Sequence, residues 1–189
     1  MAAHSTSSYL ASWFRYVTRK GVLAPYVPAP QVAGTTMLSL SRLQPGEKLV
    51  DLGCGDGRLL RTAVSDFGAS QAVGYELDAE LVTLARSLNG SDSRLTVHEK
   101  DAAESAADLH EADVVSLYLT ERGNASLLPL LVSTLRPHAR VVSYCWGLGG
   151  LQPTRTAVAR GPGAVLSIGK PNVLLWEYDA LQDGERPAK

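Results

Sequence analysis

A doubly wound α/β domain is the fold class this sequence predicts: a mostly parallel seven-stranded sheet with helices on both faces, closing in a C-terminal antiparallel hairpin. Three observations predict it. Short apolar runs alternate with helix-period segments from residue 49 to residue 146, and that alternation builds parallel pairs through right-handed crossovers. The run 112–119 is apolar and β-branched, as a strand covered on both faces must be. Past Gly147 the helical pattern stops, and the runs 155–159 and 173–178 are left to pair with each other.

Taken in order, residues 1–24 form a basic leader that carries Tyr9, Leu10, Trp13, Phe14 and Val17 at helical spacing. No Asp or Glu occurs before Glu47, and this Ser-rich, acid-poor, basic composition is that of a mitochondrial transit peptide. A helix packed on the domain, or a tail in a cytoplasmic protein, is the alternative. The domain itself spans 25–181 and a short tail 182–189 follows. Its entry, Pro25-Tyr26-Val27-Pro28-Ala29-Pro30, is held extended by alternating prolines.

A helix is expected over 31–43, stopped by Pro45-Gly46. The first strand follows and runs into Asp51-Leu52-Gly53-Cys54-Gly55-Asp56-Gly57, after which 58–67 is a crossover helix ended by Gly68. The second strand, 71–77, closes on Glu76-Leu77. Asp78 caps a helix over 79–88, with Leu81, Leu84 and Leu88 toward the sheet. The third strand, 95–99, leads into Lys100-Asp101-Ala102, and the fourth ends at Tyr118-Leu119-Thr120. A Leu-rich helix over 124–136 carries Pro129 in its first turns, and the fifth strand, 140–146, ends in Tyr144-Cys145-Trp146. Residues 164–168 extend a neighbouring strand or form a short one.

Length and composition narrow the function. One domain of ordinary size accounts for 189 residues. A net charge of -1 with no Lys/Arg run leaves no nucleic-acid footprint. Two cysteines, Cys54 and Cys145, make neither a disulfide framework nor a metal-ligand spacing, and no run approaches the ~20 apolar residues of a membrane span. No metal is expected.

The chemistry concentrates where strands end, since ligands of open α/β sheets bind outside the carboxyl ends of the strands. Glycines at 53, 55 and 57 let the backbone approach a ligand closely. Arg58 stands where a dinucleotide turn would place its third glycine, which favours a nucleoside without a pyrophosphate. Glu76 is placed to accept from ribose hydroxyls, and Asp101 and the Ala102 N–H to meet an adenine edge. No acid/base pair presents itself as a catalytic couple.

The stretch 49–60 resembles the first motif of class I S-adenosylmethionine-dependent methyltransferases. Combined with Pro25-Tyr26-Val27-Pro28, Val73-Gly74-Tyr75-Glu76 and Arg140-Val141-Val142-Ser143 with Pro153 downstream, it resembles a protein-lysine methyltransferase family. That family includes archaeal broad-specificity enzymes and the mitochondrial enzyme acting on the ATP synthase c-subunit, and the similarity runs from about Ala24 to Tyr178. The resemblance implies a Rossmann-like fold and S-adenosyl-L-methionine as cofactor, held by Asp51, Gly53, Cys54, Gly55, Asp56 and Gly57 and by the pairs Glu76-Leu77 and Asp101-Ala102. It also implies that Tyr26, Pro28, Tyr118 and Thr120 border a lysine channel, and that the partner is a protein presenting lysine, with a mitochondrial complex as one setting. Two departures are evident: Tyr144-Cys145-Trp146 replaces different polar residues after the fifth strand, and the membrane-anchoring segment of animal members is not found here. A catalytically degenerate assembly subunit, and methylation of RNA or a small molecule, are the alternatives.

Overall fold

The structure, a computed structural model, describes residues 6–18, 22–160, 172–177 and 181. Segment 164–168 and the tail 182–189 lie outside the described residues. Seven strands form one sheet in the order β3-β2-β1-β4-β5-β7-β6. β1 (Lys48–Leu52) lies centrally, parallel to β2 (Gln71–Glu76) and β4 (Val114–Leu117). β3 (Leu95–Glu99) and β5 (Arg140–Tyr144) extend the parallel set outward. β6 (Arg155–Val158) and β7 (Asn172–Glu177) make the expected antiparallel hairpin, with β7 inserted between β5 and β6.

All five residues of β1 are buried, and strand alternation sends them to two cores. Leu49 joins Met37, Leu60 and Val82 under α2 (Gln31–Leu40), α3 (Arg58–Phe67) and α4 (Ala79–Asn89). Val50 and Leu52 join Leu109, Leu131 and Trp176 under α5 (Ala106–Glu111) and α6 (Glu121–Thr134). An N-terminal helix α1 (Thr6–Thr18) precedes them. The central strands are thereby fixed from both sides, which fixes the loops at their carboxyl ends.

Four expectations are corrected. α2 ends at Leu40, because Arg42 adopts φ 53° and Leu43 N–H donates to the Leu38 carbonyl at 3.1 Å, a Schellman closure made without glycine. In α4, Leu88 is 50% exposed, and Val82 and Ala85 pack inward with Leu81 instead. α6 begins at Glu121, since the Thr120 hydroxyl accepts from Gly123 N–H at 3.1 Å and caps it; Pro129 therefore sits in the interior and removes a helical hydrogen bond to Ala125. Between β3 and β4 a 3₁₀ turn (Ala102–Glu104) and α5 intervene where no element was expected. The sequence did carry the signal: Asp101 with Glu104 three residues on is a capping box.

Candidate functional site

The carboxyl ends of β1 and β2, the loop after β4 and the proline-rich strap 22–30 enclose one pocket. The floor is the turn after β1. Gly53 and Gly55 take φ of 85° and 55° there, while Gly53 N–H and Cys54 N–H both donate to the Tyr75 carbonyl at 2.8 and 3.0 Å. Gly55 has a second constraint: a Cβ on it would lie 2.6 Å from the Tyr26 ring, which the strap lays across the turn.

Arg58 explains how the strap is held. Its guanidinium donates to Asp56 Oδ2 at 2.7 Å and to the Ala29 carbonyl at 3.0 Å, and it also engages Tyr26. Sequence reasoning saw Arg58 only as a missing glycine; it is the latch between strap and turn. Burial by itself would raise the Asp56 carboxyl, but the Arg58 guanidinium more than offsets this and holds it below the usual carboxylate range.

Glu76 is tied into the same turn. One carboxylate oxygen accepts from Gly55 N–H at 3.0 Å, and the other from Leu77 N–H at 2.8 Å and Asp78 N–H at 2.9 Å. A carboxylate offers about four lone-pair sites, so about one is left for an outside donor. Burial raises its pKa, and the three amides act against that.

Asp51 is 6% exposed and accepts from the Ser116 hydroxyl at 2.6 Å. Burial pushes its carboxyl up to about 7 against that hydrogen bond, and the charges of Glu76 and Asp56 add to the rise. Among the described residues Asp56 pairs with Arg58, and Asp78 pairs with Arg15 at 2.6 Å. Among the same described residues neither Asp51 nor Glu76 makes an ion pair. A pocket floored by bare main chain and holding two unpaired carboxylates suits a ligand that is cationic and rich in hydroxyls, which S-adenosyl-L-methionine is.

The expected site residues divide cleanly. Asp51, Gly53, Cys54, Gly55 and Asp56 line the pocket, and so do Glu76, Leu77 and Ala102. Tyr26, Pro28 and Tyr118 line it as well. Gly57 lies behind the floor as the residue that opens α3, with φ 74°. Asp101 is spent on its own capping box, accepting from Ala103 N–H at 2.9 Å, and does not line the pocket. Thr120 borders a second chamber instead, its hydroxyl donating to the Leu23 carbonyl at 2.8 Å. That chamber, of about 390 Å³, shares Pro25, Val27, Tyr118 and Leu119 with the first. Trp13, Tyr16 and Trp146 also wall it; Trp13 and Tyr16 are three residues apart on α1, but no spacing relates them to Trp146, and neither Trp13 nor Tyr16 is marked as a site residue by the sequence. Among the described residues no His, Cys, Asp and Glu group could hold a metal ion, and no helix is long and apolar enough to cross a membrane.

Comparison with known proteins agrees with this geometry. A solved structure described as an RNA methyltransferase from Salinibacter ruber, in complex with S-adenosyl-L-homocysteine, is 35% identical; the match covers 79% of this chain and 92% of that one, with a TM-score of 0.68. The chain is an S-adenosylmethionine-dependent methyltransferase. It belongs to the family of the ANTKMT methyltransferase domain, whose model matches residues 51–155. A protein-lysine N-methyltransferase of Saccharolobus islandicus (strain REY15A) is 36% identical over 132 residues, covering 68% of this chain and 81% of the relative. The adenine nucleotide translocase lysine N-methyltransferase of Mus musculus is 35% identical over 163 residues, covering 85% of this chain and 65% of the mouse protein.

Proposed function

We propose that this chain methylates the ε-amine of lysine in a protein acceptor. The observation that carries the reading is the junction of the two chambers: the donor pocket and an aromatic-walled chamber meet at Tyr118, Leu119 and the strap. The names of the archaeal and mouse relatives support lysine as the acceptor.

When bound, the cofactor supplies a methyl group on a positively charged sulfur, ready for in-line displacement by an amine. Asp51 and Glu76 attract that charge, and Glu76 accepts from a sugar hydroxyl while the main chain from Gly53 to Gly55 forms the floor. Leu77 and Ala102 flank the base, Asp56 lines the pocket in the grip of Arg58, and Gly57 and Asp101 act behind the surface by setting the turn and the capping box. The strap and Tyr118 exclude water. Burial keeps the Tyr118 hydroxyl protonated well above neutral pH, helped by the neighbouring Cys145 and Tyr144, so it does not remove the proton of the amine. Apolar walls favour the neutral amine, and positioning supplies most of the acceleration.

Label from S-adenosylmethionine added to a lysate of the source cells is expected in protein, on lysine. The structural relative described as an RNA methyltransferase gives the second reading; label confined to RNA would replace the first reading with it. Binding also reports on Asp51. The free enzyme holds this carboxyl near a pKa of about 7, and a cationic ligand lowers that value, so binding releases protons. Affinity for S-adenosylmethionine is expected to fall as pH drops below 7, by up to about tenfold per unit, whereas Asp51→Asn should bind weakly at every pH without that slope. Calorimetry between pH 5.5 and 8.5 checks it; a flat wild-type profile contradicts the role.

A mitochondrial site of action is supported by the acid-free, basic segment before Glu47. Residues 1–24 fused to a reporter should carry it into mitochondria, and a cytosolic reporter would refute this.

A further inference from the structure

α1 is placed at the site. Arg15 Nη2 pairs with Asp78 Oδ2 at 2.6 Å, Asp78 being the residue that caps α4 directly after the Glu76-Leu77 strand end. On the same helix Trp13 and Tyr16 stand edge to face, with centroids 5.9 Å apart and planes at 88°. Both rings wall the second chamber together with Tyr118 and Trp146, and Glu121 and Arg122 also line it. Leu10, Phe14 and Val17 are 67–68% exposed, while Trp13, 46% exposed, reaches the second chamber with Tyr16, and Arg15 reaches the first.

We infer that Trp13 and Tyr16 grip the methylene stem of the incoming lysine, so that residues 6–18 are a wall of the acceptor site and stay on the working enzyme. The inference rests on the protein-lysine reading above. Its chemistry is plain. A lysine side chain is four methylenes ending in an amine; ring faces exclude water from the stem and attract a cation at its tip. The chamber then delivers the tip to Tyr118 and Leu119, which line the donor pocket as well. A mitochondrial address in residues 1–24 is compatible with this only if the segment is not cut away after import, because removal would take both rings and the Arg15 pair with it.

The test compares the full-length wild type, Trp13→Ala/Tyr16→Ala and Trp13→Phe/Tyr16→Phe. Each is assayed with labelled S-adenosylmethionine and nuclease-treated lysate of the source cells as acceptor, while binding of S-adenosylhomocysteine is measured separately. Expected are at least tenfold less protein label for the alanine pair at sub-saturating acceptor, recovered in part as acceptor is raised and largely restored in the phenylalanine pair, with S-adenosylhomocysteine affinity within about threefold of wild type throughout. Protein label in the alanine pair equal to wild type overturns the inference and leaves the lysine reading standing. Loss of S-adenosylhomocysteine binding along with activity also overturns it, since α1 would then serve the donor pocket. A wild type that labels metabolites, or RNA in a parallel lysate not treated with nuclease, but no protein overturns the lysine reading itself.

Discussion

Glu76→Ala is expected to weaken S-adenosylmethionine binding at least 30-fold, or about 2 kcal/mol, and to lower the melting temperature by several degrees. Two losses combine. The ligand loses the carboxylate that meets its sugar, and the turn loses the acceptor for three main-chain amides, those of Gly55, Leu77 and Asp78. A buried donor stripped of its partner costs about 1–3 kcal/mol, so the glycine turn itself should loosen. Glu76→Gln separates the two effects. It keeps the shape and one oxygen but turns an NH₂ toward an amide, so its affinity should fall between wild type and alanine. Isothermal titration with S-adenosylhomocysteine gives the order directly, and an alanine variant with wild-type affinity would remove Glu76 from the donor site.

Gly55→Ala is the second large effect. One methyl is added, yet affinity for the donor should drop at least tenfold. The left-handed backbone at φ 55° disfavours alanine by roughly 1–2 kcal/mol, and the new Cβ would come within 2.6 Å of Tyr26 Cε2 and 3.2 Å of Cδ2. Arg58 holds the strap to the turn through Asp56 and the Ala29 carbonyl, so the ring cannot retreat without breaking that latch. Tyr26→Ala alone should cost only a few-fold. Combined with Gly55→Ala it should recover part of the lost affinity, a non-additivity that two contacting residues must show. Strictly additive losses in the four-way cycle would mean that strap and turn are not in contact.

Much of this architecture was legible from residue order. The inner strands β1, β2, β4 and β5 are buried on both faces, so their apolar runs could be read without knowing their neighbours, and Gly68 and Asp78 marked helix ends by local chemistry that tertiary packing did not override. Strand-end residues such as Asp51, Glu76 and Ala102 followed from the same periodicity. What escaped were relations between distant parts of the chain. Nothing in the spacing of Arg15 and Asp78, or of Trp13 and Trp146, foretells that they share a site. Asp101 carries a local role that strand periodicity does not reveal: with Glu104, three residues on, it forms a capping box, and it does not line the pocket. Thr120 combines both kinds of relation: its hydroxyl meets Gly123 N–H locally and the distant Leu23 carbonyl, and the residue borders the second chamber.

The position of β7 bears on how the polypeptide is made. The strand that lies between β5 and β6 is the last of the seven to be synthesised. Until residues 172–177 leave the ribosome, β5 presents an open edge, and the mostly apolar faces of Val141 and Val142 lack the cover of Trp176 and Leu175 opposite them. An unpaired apolar strand edge is an invitation to intermolecular pairing, so nascent chains stalled before this point should depend on chaperones far more than the finished polypeptide does.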